Sequence, residues 1–492
     1  MTAELVTARA APRRARQHIS YRAVRGGTAV TMVSIYLGIL FAVPSNLQFA
    51  ALGSLGKPAV LWGVLLLGWW MLSQLQWSGR ELRTRGTALR VLLAVFAIVV
   101  LISYAAALLR GQPADQVGSA SSSLVRIASW SGVCLVAADG IRTRDEITQV
   151  FRRISIIGGL LVVLGAAQVA TGVRLLEWTA SIPGLEIDWS VMDSRGGTVR
   201  AVGTATHPLE FSSTMTGLLP LAVGYAFVAV QSAGARAWRW CVPPVLMLAL
   251  LSVSVTRSAM IGIGIVLVVL LPFLPSRVRH IVLLVVAAGA AAVLLALPRI
   301  AQTVVTSFLG VAEDPSALSR ANALARVPEF TATSPVFGAG WGTFLPRYYI
   351  FDNGWVLMLV EVGIAGVVLF ALMLITGIGR AMHAASAATS DEGRVIGGAV
   401  AASLLVMAVQ LALFDGLGFG QFVGTLFLVL GLSVAVGDIT GWSRGERSGR
   451  ASRLPSFSDD QLPPPRTTAS ARRGVGIDLS PRGPASRTEL TS

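Results

Sequence analysis

Blocks of about twenty apolar residues, nearly free of charge, recur along this chain, and they limit its folding more than any other feature. Val91–Leu109, Ile281–Leu297 and Ala399–Phe414 are three of them. A helix of that length crosses a hydrocarbon layer of about 30 Å. A soluble core would need polar faces alternating with the apolar ones, and these blocks have none. Composition agrees. The chain is 54% hydrophobic and only 13% charged over 492 residues, against about 25% charged in ordinary soluble domains.

The formal net charge of +15 does not imply nucleic acid. The arginines fall in short loops and at both termini, the positive-inside pattern of an inner membrane. Lys57 is the sole lysine. The first apolar run follows a basic stretch but continues without a small-residue cleavage site, so it reads as a span rather than a leader. Cys134 and Cys241 lie in apolar stretches without paired spacing, and no disulfide or thiol chemistry is expected.

Apolar runs and arginine placement predict an all-α polytopic membrane protein with about twelve spans. They fall near 28–45, 58–76, 91–109, 122–139, 154–172, 207–230, 241–253, 257–274, 281–297, 353–378, 396–414 and 419–437. The expected divisions are a basic cytoplasmic terminus (1–27), a transmembrane domain (28–438) and a disordered cytoplasmic tail (439–492). The tail is rich in Arg, Ser and Pro and too poor in large apolar residues to bury a core. A long outer loop is expected at about 298–351, between spans nine and ten. Both termini come out cytoplasmic, and the expected location is a bacterial cytoplasmic membrane.

Several arginines break the charge rule by falling in outer segments: Arg195, Arg200, Arg257, Arg320, Arg326 and Arg347. Arg257 sits in a turn between two apolar helices, where a charge needs a partner. It is expected to contact an anion, with two structural alternatives: a helix-end anchor, or a partner for a carboxylate such as Glu210 or Glu361. Guanidinium groups gathered near a membrane surface suit a phosphorylated lipid, because they pair bidentately with phosphate and keep their charge. The first outer loop, Val43–Lys57, holds no carboxylate. Glu313, Asp314 and Glu329 lack a ligand spacing, so neither a metal nor a cofactor is expected. Gly338, Gly340 and Gly342 look like a phosphate loop, yet no strand precedes them, and turn geometry is the better reading.

Four elements in order resemble the O-antigen ligase and O-antigen polymerase superfamily. They are Arg200-Ala-Val-Gly-Thr-Ala-Thr-His207-Pro-Leu-Glu210, then Ser252-Val-Ser-Val-Thr-Arg257, then Leu318-Ser-Arg320 with Ser334-Pro-Val-Phe-Gly-Ala-Gly-Trp-Gly, and Phe351-Asp352-Asn353-Gly-Trp with Glu361-Val-Gly-Ile-Ala-Gly366. The resemblance covers about 195–380. It implies a metal-independent, inverting glycosyltransferase that moves or polymerises glycan from a polyprenyl-diphosphate-linked oligosaccharide onto a hydroxyl of an acceptor glycan or glycolipid. It implies contact with membrane lipids and not with nucleic acid.

Carried across, Arg257 and Arg320 hold the diphosphate, and the family's histidine falls on Asp352, a departure that leaves an aspartate as the base. Arg200, His207, Arg326, Arg347, Asn353 and Glu361 are candidate substrate contacts. Structural alternatives stand beside these roles: a helix cap for Asp352, a helix-start role for His207 and a packed carboxylate for Glu361. Two rival readings remain, a transporter or flippase of lipid-linked glycan and a non-catalytic member of the family.

Overall fold

The computed structural model describes residues 28–76, 87–187, 194–195, 198–232, 234–254, 256–296, 298, 302 and 315–451. The side chains of 315–321 and 438–451, among others, lie outside the described residues. So do the expected basic terminus (1–27), the arginines at 80, 83 and 85, Arg299, Glu313, Asp314 and the tail from 452.

The helices in chain order are α1 (Ala29–Ala42), α2 (Pro58–Gln76), α3 (Thr87–Leu109), α4 (Ala114–Gly140), α5 (Arg144–Thr171), α6 (Pro208–Ser232), α7 (Val242–Val253), α8 (Arg257–Leu270), α9 (Ser276–Ala296), α10 (Pro315–Thr331), α11 (Gly354–Ala387), α12 (Asp391–Gln410) and α13 (Gly420–Ala451). Two pairs of two-residue antiparallel strands join them: β1 (Gln48–Phe49) with β2 (Leu185–Glu186), and β3 (Ser194–Arg195) with β4 (Thr198–Val199).

Every expected span coincides with a helix. Among the described residues nine are long and apolar enough to cross a membrane, as in a polytopic membrane protein. The other three fall short: α1 has 14 residues, α7 has 12 and α8 has 14. At about 1.5 Å per residue each covers little more than 20 Å at most. The expected loop over 298–351 contains the helix α10. Helix α13 runs to Ala451, past position 439, where the tail was expected to begin. Contacts divide the chain into one unit ending at Arg444 and a second from Gly445. Of the second, only the helical backbone of 445–451 is described.

Local signals set the helix ends. Thr143 and Glu146 form a reciprocal cap on α5, and Ser390 caps α12 through the N–H of Gly393. Such caps satisfy backbone donors that the first helical turn leaves open. They lie at one end of the bundle, with the links at 234–241 and 271–275; this is the arginine-rich end. The described parts of the loops at 43–57, 172–207, 332–353 and 411–419 gather at the other, loop-rich end.

The centre is α4, α6, α12 and α13. In α6 and in α13 89% of the apolar window is buried, and in α9 none is. Small residues allow the close approach, since lipid supplies no hydrophobic drive between helices. Gly63 of α2 lies against Ser129 of α4, and Gly132 of α4 lies against Leu67 of α2. At the arginine-rich end Asp139 pairs with Arg90 and accepts from the Trp70 Nε1 at 2.7 Å, joining α2, α3 and α4.

Candidate functional site

The loop-rich end is organised by the segment 334–344, which enters the bundle and joins a break in α11. Gly363 has φ 67° and ψ −171°, a region essentially reserved for glycine. There the helix stops supplying its own hydrogen bonds and the loop replaces them. The N–H groups of Ala339 and Gly340 donate to the carbonyls of Val360 and Glu361, both at 2.8 Å. Those of Ile364 and Ala365 donate to Pro335 and Val336 at 2.9 and 3.1 Å. Backbone that is not helical survives at this depth only because its polar groups are paired within the protein. Gly338, Gly340 and Gly342 all have positive φ, so the glycine run is turn geometry, as its sequence context indicated. Arg110 Nη1 donates to the Gly338 carbonyl at 3.0 Å and fastens the loop to the end of α3.

Glu361 sits at this break, 6% exposed. Its carboxylate accepts from the N–H groups of Phe344, at 3.4 Å, and Gly342. The Arg126 guanidinium of α4 lies near enough to act electrostatically on both Glu361 and Asp415. Asp415 belongs to the turn between α12 and α13. That turn is tied to the start of α11 by the Gly354 N–H, which reaches the carbonyls of Leu411 at 2.7 Å and Phe414 at 3.1 Å. The tie brings Asp415 within electrostatic reach of Asp352. Burial pushes the Asp415 carboxyl up to about 6. The N–H groups of Leu417 and Gly418 resist the shift, the Asp352 charge adds to it, and Arg126 opposes it. Its Oδ1 is buried and makes no hydrogen bond among the described residues.

Asp352 has φ 47°, and it is the one residue other than glycine with positive φ among the described residues. Strain of this kind persists where the surroundings over-determine it, and it concentrates at functional sites. The cap of α11 is its neighbour Asn353, whose Oδ1 accepts from Trp355 N and Val356 N at 3.0 and 3.2 Å. The expected alternative role of Asp352 as the cap is therefore corrected. An extended N-cap geometry at 353 suits Asn, and the left-handed turn before it leaves the Asp side chain out of the helix start.

The long loop docks beside this pair. Phe330 of α10 meets Phe344 and Phe351 with ring centroids 5.0 and 5.8 Å apart. Arg326 lies over Tyr349 at 5.0 Å and pairs with Glu329 at 3.2 Å. Arg347 pairs with Asp115 and donates to Tyr348 Oη at 3.1 Å. Arg320 is on α10, seven residues before Val327, so the two share a helix face; its side chain lies outside the described residues.

The remaining candidates stand along a neighbouring edge. Arg200 is 7% exposed and donates to Thr256 Oγ1 at 3.0 Å. Thr256 directly precedes Arg257, the first residue of α8, which is half-buried. His207 Nδ1 accepts from Leu209 N at 3.1 Å and its ring stacks on Phe419 at 6.1 Å, so it serves the start of α6. Glu210 is fully buried and accepts from Ser45 Oγ, Thr206 N and Gln421 N at 2.8–2.9 Å. That carboxylate joins the starts of α6 and α13 to the first loop.

Three residues of this end were not singled out from the sequence: Lys57, Arg126 and Asp415. Arg126 had a signal, being a lone guanidinium inside the expected span 122–139, where an ionisable group is functional by default. Asp415 had none beyond being an acid between two spans. Among the described residues no group of three His, Cys, Asp or Glu side chains is placed to hold a metal ion. No family model matches the chain, and no curated protein matches it.

Proposed function

We propose that the chain transfers a glycan from a polyprenyl-diphosphate-linked donor to an acceptor sugar hydroxyl, at the loop-rich end of the bundle on the outer face of a bacterial cytoplasmic membrane. The observation that carries this reading is the strained Asp352 set beside Asp415 and Arg126 under the docked helix α10. In the proposed step the Asp352 carboxylate takes the proton of the acceptor hydroxyl. The oxygen attacks the anomeric carbon from the face opposite the diphosphate, the C–O bond to the diphosphate breaks, and the configuration inverts. A carboxylate is a weak base, so proton transfer is late and the leaving group must be well stabilised. Arg257, next to the Arg200–Thr256 contact, and Arg320 on α10 are the cations assigned to the departing lipid diphosphate.

A flippase or transporter of the same lipid-linked glycan is the second reading. The break of α11 at Gly363 favours it, because transporters build their sites on discontinuous helices. Single replacement of Arg257, Arg320 and Asp352 by Ala, with surface polysaccharide length and lipid-linked intermediates followed, separates the readings. Loss of polymer with donor accumulating on the outer leaflet supports transfer. Donor accumulating on the inner leaflet supports transport. Normal polymer in all three variants, each present at wild-type level, removes the enzyme.

A further inference from the structure

A narrow recess of about 30 Å³ at the loop-rich end lies between α1, α2, α4 and the turn that starts α13. Lys57 and Arg126 both line it, and no carboxylate does. The two cations are close enough to repel each other. The carboxylates that offset them are engaged behind the lining: Glu210 by three donors, Glu361 and Asp415 by two backbone N–H groups each. Arg126 donates to Ser123 Oγ at 2.7 Å, while the Lys57 ammonium makes no hydrogen bond to any described residue. Gly420, the first residue of α13, stands at the same wall, so the positive end of that helix faces the space.

Two repelling cations and a helix start are partners for an oxyanion. Charges held this deep in a membrane protein mark ligand sites or find partners. We infer that the Lys57–Arg126 recess binds a phosphate oxyanion, held by the ammonium and the guanidinium. Apolar Leu40, Pro58 and Trp130 in the same wall leave a path along which a lipid tail can extend from the phosphate. This assignment deepens the proposed function by adding Lys57 and Arg126 to the cations that hold a lipid phosphate, and its test does not depend on glycan transfer.

The full chain in nanodiscs is titrated with farnesyl diphosphate, farnesol and inorganic pyrophosphate, with binding read by calorimetry. The expected result is saturable binding of farnesyl diphosphate, none of farnesol, and a loss of at least tenfold in affinity in Lys57→Met and in Arg126→Met. Lys57→Arg, which keeps the charge, restores binding and serves as the folding control. Pyrophosphate binding as tightly as farnesyl diphosphate identifies a free anion as the source, and much weaker binding identifies a lipid phosphate; both support the recess. No binding of either phosphate, or binding unchanged by Lys57→Met and Arg126→Met, overturns it. Lysine-dependent binding together with normal polymer in the Arg257, Arg320 and Asp352 variants upholds the recess and removes the transferase.

Discussion

The Gly354 N–H bonded to the Phe414 carbonyl at 3.1 Å is what sets Asp352 beside Asp415. The two acids are more than sixty positions apart in the chain, and neither belongs to a regular element. With its shorter partner, the Leu411 carbonyl at 2.7 Å, this contact ties the start of α11 to the turn after α12.

Replacing Asp352 by Gly separates chemistry from strain. Glycine takes φ 47° without steric cost, whereas an ordinary side chain there costs about 1–2 kcal/mol. Asp352→Gly is expected to keep or slightly raise the melting temperature in detergent and to abolish surface polymer. Asp352→Ala abolishes polymer too, with a loss of about 1 kcal/mol in stability. Normal polymer in the glycine variant would mean that the residue serves the turn alone.

Asp415 makes the fold sensitive to pH. Its carboxyl is raised to about 6 in the folded chain, above the ordinary value near 4. The folded state therefore holds that proton more tightly than the unfolded chain does. The resulting stability is complete below about pH 4 and disappears as the pH rises through 6. The difference amounts to about 3 kcal/mol between pH 4 and pH 8. Asp415→Asn is expected to remove this part of the pH dependence, and melting curves of both proteins from pH 4.5 to 8 would show it. Parallel curves would contradict the assignment.

Gly363 tolerates no side chain. A Cβ there would collide with the Val336 carbonyl, and the conformation itself costs about 1–3 kcal/mol for any other residue. Gly363→Ala should expel the 334–344 segment. Limited proteolysis should then cut within 334–344 at least ten times faster than in the wild type. The side chain of the next residue, Ile364, is exposed, so Ile364→Ala should leave cleavage unchanged and serves as the control.

Glu210 is a joint rather than a catalyst. Glu210→Ala would remove the shared acceptor of Thr206, Ser45 and Gln421 and leave the buried Gln421 N–H without it, at about 1–3 kcal/mol for a buried group. A loss of folded protein in fluorescence size exclusion is expected, and Glu210→Gln, which keeps an acceptor, should recover most of it.

The helices were legible in the sequence because a bilayer admits so few solutions. Apolar length located the nine helices long enough to cross a membrane among the described residues, and Thr143, Glu146 and Ser390 mark helix starts by residue type alone. At α1 and α8 the expected span overran the helix, because the apolar run continues past the helix end, into Val43–Pro44 and into the 3-10 turn Leu271–Phe273.

The site was legible only in part. Asp352, Arg200 and Glu361 were reachable from their pattern, and the structure puts Asp352 and Glu361 in one neighbourhood with Arg126. The partners Asp415 and Lys57 were not reachable, because what brings them in is a backbone bond from Gly354 and the meeting of α2, α4 and α13. Periodicity along a chain fixes which faces are apolar, since each helix obeys its own local geometry. Which charges meet is decided between helices, by close approach at small residues and by pairing of backbone groups far apart in sequence, and only the folded chain contains that information.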